Sequence, residues 1–81
     1  MEQTEVMAVD YDQVLVFRTN IKSFEDKLSV QARLNSIENI REWNIDMEDV
    51  DCVLRIVSRS LSYDKIISEI KELGFECSEL T

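Results

Sequence analysis

The sequence predicts an α+β domain whose elements run strand, helix, strand, strand, helix, strand. Three observations predict it. Two stretches carry apolar residues at helical spacing, each behind a serine that suits a helix N-cap. Between and around them lie short runs of alternating or β-branched residues. A single Gly74-Phe75 pair closes the second helical stretch. With 81 residues, 44% of them hydrophobic, and no proline, the chain has room for one packed core and no second domain.

Residues 1–12, MEQTEVMAVDYD, hold four acids and show neither a helical nor a strand period. They are expected to form a flexible acidic tail, with the domain over 13–81. Residues 13–19 (QVLVFRT) favour a strand, with Val14 and Val16 on one face and Leu15 and Phe17 on the other. Ser23 is the first N-cap, with Asp26 three residues on and Glu25 and Asp26 in the first turn, where the helix dipole favours negative charge. Val30, Leu34 and Ile37 share one face, so a helix is expected from Phe24 to Ser36. In residues 40–47, Trp43, Ile45 and Met47 alternate with Asn44 and Asp46, as in a half-buried strand. After the polar turn 48–51, residues 52–58 (CVLRIVS) form its hairpin partner, with Leu54 and Ile56 opposite Val53, Arg55 and Val57. Ser62 caps the second helix, Leu61 and Ile66 stand at hydrophobic-staple positions, and Ile66, Ile67, Ile70 and Leu73 are its apolar face. Residues 75–80 (FECSEL) make the last strand.

Each apolar helix face needs a sheet to cover it, and right-handed crossovers then place both helices on one side. The expected fold is a ferredoxin-like βαββαβ sandwich: a four-stranded antiparallel sheet in the order 4-1-3-2.

The net charge of −8 excludes nucleic-acid binding through phosphates, which needs clustered Lys and Arg, and disfavours anionic membranes. It suits a basic protein partner, a cation, or simple solubility. No apolar run approaches the roughly 20 residues of a membrane span. The first dozen residues lack a signal-peptide core, so a cytoplasmic location is expected. The two cysteines, Cys52 and Cys77, belong to no CxxC motif and fall at strand positions, where buried free thiols are expected and a Cys52–Cys77 disulfide is the alternative.

From Asn20 to Leu80 the chain resembles the heavy-metal-associated domains of copper chaperones and metal-pumping ATPases. Val30, Leu34, Ile37 and Ile40, then Trp43, Ile45 and Met47, then Leu54 and Ile56, then Gly74-Phe75 fall on that family's pattern. The family carries a Met-x-Cys-x-x-Cys loop before its first helix, whose thiolates bind Cu(I) or another soft ion. Here the run is Ile21-Lys22-Ser23-Phe24-Glu25-Asp26, with Ser23 and Asp26 in place of the two cysteines. Soft ions prefer thiolate ligands. A hydroxyl, a carboxylate and the absence of histidine therefore predict no Cu(I) or Zn²⁺ at Ile21, Ser23 and Asp26 and no other cofactor. Ser23 and Asp26 instead read as an ordinary helix cap.

Asp46, Glu48, Asp49 and Asp51 crowd the hairpin turn but lack the glycine and the length of a calcium loop, so a solvated acidic turn is expected. Without histidine there is no Ser–His or Cys–His dyad, and no enzyme is expected. The sheet face away from the helices would present Val14, Val16, Val53 and Val57 with Arg18 and Arg55, an apolar patch rimmed by charge that suits a protein contact or self-association. Two readings of function follow. The expected one is a non-catalytic protein-interaction module that has lost its metal site. The alternative is a metallochaperone-like protein using oxygen ligands from Ser23, Glu25 and Asp26.

Overall fold

The computed structural model describes residues 12–80. Its elements are β1 (Gln13–Thr19), α1 (Phe24–Asn35), β2 (Glu42–Asp46), β3 (Val53–Ser58), α2 (Tyr63–Glu72) and β4 (Cys77–Glu79). The strands form one antiparallel sheet in the order β2-β3-β1-β4, the order expected. Register is fixed by pairs such as Leu15 with Ile56, Phe17 with Leu54, and Thr19 with Cys77.

Side-chain alternation puts Leu15 and Phe17 of β1, Ile45 of β2 and Leu54 and Ile56 of β3 on one sheet face, all buried. Val30 and Leu34 from α1 and Ile66 and Ile70 from α2 close over them and are fully buried. Both helices thus cover the same face, and burying a side chain of this size stabilises by about 1.5–3 kcal/mol each. Ile37, Ile67 and Leu73 pack on the margin of this core, partly exposed. Phe17 and Tyr63 meet as a tilted ring pair with centroids 5.0 Å apart. Because β4 stops after three residues, the Val16 N–H beside it lacks a strand partner and donates to the Tyr63 hydroxyl at 3.3 Å.

Both helix starts follow the sequence. Ser23 Oγ accepts from the Asp26 N–H (3.0 Å) and Ser62 Oγ from the Lys65 N–H (3.2 Å). At the end of α2, the Gly74 N–H donates to the Lys71 carbonyl (2.9 Å) and the Phe75 N–H to the Ile70 carbonyl (3.4 Å). That is a Schellman motif, and Gly74 takes the φ of +94° that it requires.

The sheet is shorter at its margins than the periodicity implies. β2 spans 42–46 instead of 40–47, because the Ile40 N–H turns back to the Ile37 carbonyl and pairing starts only with Arg41 N–H to Val57 O (2.8 Å). β4 begins at Cys77 instead of Phe75, since the Phe75 amide belongs to the helix cap and the Glu76 amide donates to Asn20 Oδ1 (2.9 Å). α1 ends at Asn35, with Ser36 as its C-cap. Cys52, expected in a strand, instead closes the hairpin turn: its φ is +44° and its N–H donates to the Asp49 carbonyl (2.9 Å). Of the tail expected over 1–12, residues 1–11 lie outside the described residues. Asp12 is tied down, with its carboxylate 3.1 Å from Arg41 and 3.7 Å from Arg59.

Candidate functional site

The loop between β1 and α1 carries Ile21 and Ser23 and leads into Asp26 in the first turn of the helix. Ile21 anchors it, fully buried in the core, where the resembling family has a methionine. Its N–H donates to Thr19 Oγ1 (3.2 Å), and the Thr19 hydroxyl in turn donates to the Cys52 carbonyl (2.6 Å). Next along the chain, the Lys22 N–H donates to Asp26 Oδ2 at 3.3 Å. In the usual capping box the acid reaches the cap residue's own N–H; here it reaches one residue further back. Ser23 and Asp26 therefore hold each other's surroundings in place: the hydroxyl on the Asp26 amide, the carboxylate on the Lys22 amide.

The donor chemistry does not fit a soft ion. The loop offers a neutral hydroxyl and hard carboxylate oxygens; the Ser23 hydroxyl and Asp26 Oδ2 already accept from backbone N–H groups. Among the described residues no group of three or more Cys, Asp or Glu side chains is placed to hold a metal ion.

The two cysteines flank Thr19, just before this loop. Cys77 is the register partner of Thr19 on one side of β1, and the Cys52 carbonyl binds the Thr19 hydroxyl on the other. Two inter-strand spacings of about 4.8 Å separate their backbones by roughly 9–10 Å. A disulfide needs Cα atoms within about 7 Å, so the alternative pairing is excluded, and both cysteines are free and buried. Burial pushes the Cys77 thiol up to about 11, against a small opposing pull from the Lys71 charge. At neutral pH it is a protonated core group, not a thiolate.

The acidic turn is internally hydrogen bonded. Asp46 Oδ1 accepts from the amides of Glu48 (3.1 Å) and Asp49 (3.3 Å), Asp49 Oδ1 accepts from the Asp51 amide (2.8 Å), and Asp51 Oδ1 pairs with Arg18 Nε (3.1 Å). These are turn-stabilising carboxylates.

On the sheet face away from the helices, register brings Val14 beside Val57 and Val16 beside Arg55. Val14 is 54% exposed, and Val16, Arg55 and Val57 are half-buried. Val53 departs from expectation: it is only 3% exposed, set beside Asp46 in the register, and presents no surface of its own. Three large exposed apolar residues were not singled out from the sequence: Phe24 (65%), Leu28 (46%) and Val50 (92%). Phe24 and Leu28 follow each other by four residues, and Leu28 lies about 200° round the helix from Val30. Their four-residue spacing is the sequence signal of this second apolar stripe.

Comparison with known proteins bears on the fold. No family model matches the sequence and no curated protein matches it. Solved structures do. The copper chaperone for superoxide dismutase has a heavy-metal-associated domain, in its apo form, that superposes with a TM-score of 0.74 at 11% identity, over 88% of this chain and 69% of that one. The chain has the heavy-metal-associated fold. Oxidized MerP from Ralstonia metallidurans matches with a TM-score of 0.73 at 11% identity, over 88% of this chain and all of that one. A chain of the Atx1–Cu(I)–Ccc2a complex matches at 0.71 and 14% identity, over 84% and 94%. The resemblance read from the apolar positions is thus matched in three dimensions. Among the described residues no helix is long and apolar enough to cross a membrane.

Proposed function

We propose that the domain, over residues 13–81, is a non-catalytic protein-interaction module on a heavy-metal-associated scaffold and works without a soft metal ion. The observation that carries this reading is the cap. Ser23 and Asp26, at the two ligand positions, are held by the amides of Asp26 and Lys22 at 3.0 and 3.3 Å. A metal loop must present its ligands to solvent and to a recipient; this loop turns them onto its own backbone. One of the structural neighbours comes from the Atx1–Cu(I)–Ccc2a complex. In this chain the contact is made by side chains instead.

The open sheet face, with Val14, Val16, Arg18, Arg55 and Val57 over a floor of Val53, is one part of the contact. Four strands at about 4.8 Å and five residues at about 3.3 Å give roughly 320 Å² in projection. Even doubled for side-chain relief, this falls short of the ~800 Å² per partner of a standard interface. The face alone does not sustain a homodimer, so the partner also engages the flanks of the sheet.

The test is thermal denaturation with one equivalent of Cu(I), Zn²⁺ or Cd²⁺. A ligand that binds only the folded state raises the midpoint. The expected result is no shift with any of the three. A stoichiometric rise reverses the reading in favour of a metal handler with oxygen ligands at Ser23, Glu25 and Asp26.

A further inference from the structure

At the loop end of the domain, three segments far apart in sequence enclose an open groove of about 550 Å³. The end of β1 and the loop after it contribute Arg18 and Lys22, the β2–β3 turn Val50 and Asp51, and the last turn of α2 and the segment after it Lys71 and Phe75. We propose that this groove holds an acidic segment of a partner protein, with carboxylates on Lys22 and Lys71 and an apolar side chain against Val50 and Phe75. The proposal rests on the reading of the domain as an interaction module and supplies the partner's chemistry.

Charge is the first argument. The chain has 17 acids against 9 Lys and Arg. In such a chain most cations find a carboxylate: Arg18, Arg33, Arg41, Arg59 and Lys65 all do. Lys22, Lys27, Arg55 and Lys71 make no ion pair among the described residues, and two of these four, Lys22 and Lys71, line this one groove. Asp51 is already neutralised by Arg18 at 3.1 Å. That leaves Glu76 alone against two ammonium groups, a positive groove in a strongly negative molecule. Long-range repulsion from the net charge is screened beyond about 8 Å at physiological salt, whereas contacts inside the groove are not.

Shape is the second argument. The space is too large and too open for one small anion, and its two free cations stand on different segments. The lining also has two large apolar members: Phe75 is half-buried and Val50 is 92% exposed. A valine standing in water at the apex of an acidic turn makes no fold contact that would hold it there. An extended segment with acids flanking one apolar residue satisfies both ammonium groups and covers both apolar side chains. Arg18 belongs to the groove and to the open sheet face, so one partner can engage both and reach the area the face lacks.

The experiment is an amide NMR titration of the full chain with the blocked pentapeptide EEFEE and, as control, KKFKK. The expected result is saturable shifts at Asn20, Lys22, Asp51, Glu76 and Ser78 with EEFEE alone. The dissociation constant should rise more than tenfold in Lys22→Glu/Lys71→Glu and several-fold in Val50→Ser. These positions are exposed, and an unchanged melting midpoint certifies the fold of each variant. No saturable shift up to 5 mM peptide (on the order of the weakest affinity worth naming), equal binding by the double variant, equal binding of KKFKK, or shifts confined to α1 overturns the proposal. Metal addition is a separate readout: if metals leave stability unchanged and EEFEE does not bind, the groove assignment fails and the metal-free module stands.

Discussion

Replacing Ser23 by alanine removes one hydrogen bond, from the Asp26 N–H at 3.0 Å, and leaves every core side chain in place. Loss of an N-cap costs about 0.5–2 kcal/mol. Two features place the cost near the middle. Ser23 is exposed, so water partly replaces the lost acceptor. The second bond of the loop, Lys22 N–H to Asp26 Oδ2, survives the change. About 1 kcal/mol is therefore expected. For a domain of this size that lowers the thermal midpoint by roughly 4–8 °C, or the urea midpoint by about 1 M for an m-value near 1 kcal/mol/M. The internal standard is Ser62→Ala, which removes the equivalent bond from the Lys65 N–H at 3.2 Å and should cost a similar amount. Ser23→Asp, another competent cap, should restore most of the loss. If Ser23→Ala leaves both midpoints unchanged while Ser62→Ala lowers them, the loop is no structural cap and the reasoning is refuted.

Gly74→Ala should cost 1 kcal/mol or slightly more although no atom lies within 4 Å of the added Cβ, because the penalty comes from φ +94° alone; a neutral result in urea would show that the Schellman geometry is dispensable. Cys77 links stability to alkaline pH. Its folded value, about 11, stands above its ordinary 9.0, so its contribution is whole below pH 9 and is lost as pH rises from 9 to 11, by about 2–3 kcal/mol at most. Cys77→Ala should flatten that slope. At the acid end, hydrogen bonds from Lys65 and then Arg33 hold the Glu69 carboxyl below its ordinary value of 4.5. The stability it contributes is present above 4.5 and falls away as pH drops through the lower folded value, and Glu69→Gln should make urea midpoints less sensitive to pH there.

The elements legible in the sequence are those fixed by near neighbours. The caps at Ser23 and Ser62, the turn at Gly74 and the inward phase of Leu15, Phe17, Leu54 and Ile56 depend on residues within four positions, and all stand as read. Strand ends were not legible, because their amides are taken by distant groups: Glu76 by Asn20, 56 residues away. Cys52 at φ +44° carries no local signal, since a cysteine gives no reason for a left-handed backbone. The site divides the same way. That residues 21–26 hold no cysteine could be read directly; the groove could not, because it joins residues 18–22, 50–51 and 71–78 only through the sheet order. Val53 shows the converse, as strand alternation placed it on the open face but gave no measure of its burial.

The central claim is that this scaffold lacks soft-metal binding because of two side chains. Ser23→Cys/Asp26→Cys writes a Cys-x-x-Cys spacing into the loop. Thermal denaturation of the chain and of this variant, each with and without Cu(I), tests the claim directly. At free ligand about 100 times Kd, binding stabilises by about 2.7 kcal/mol, or more than about 10 °C for a domain this small. The account predicts that rise in the double variant and none in the unaltered chain. A stoichiometric, Cu(I)-dependent rise in the unaltered chain would contradict it.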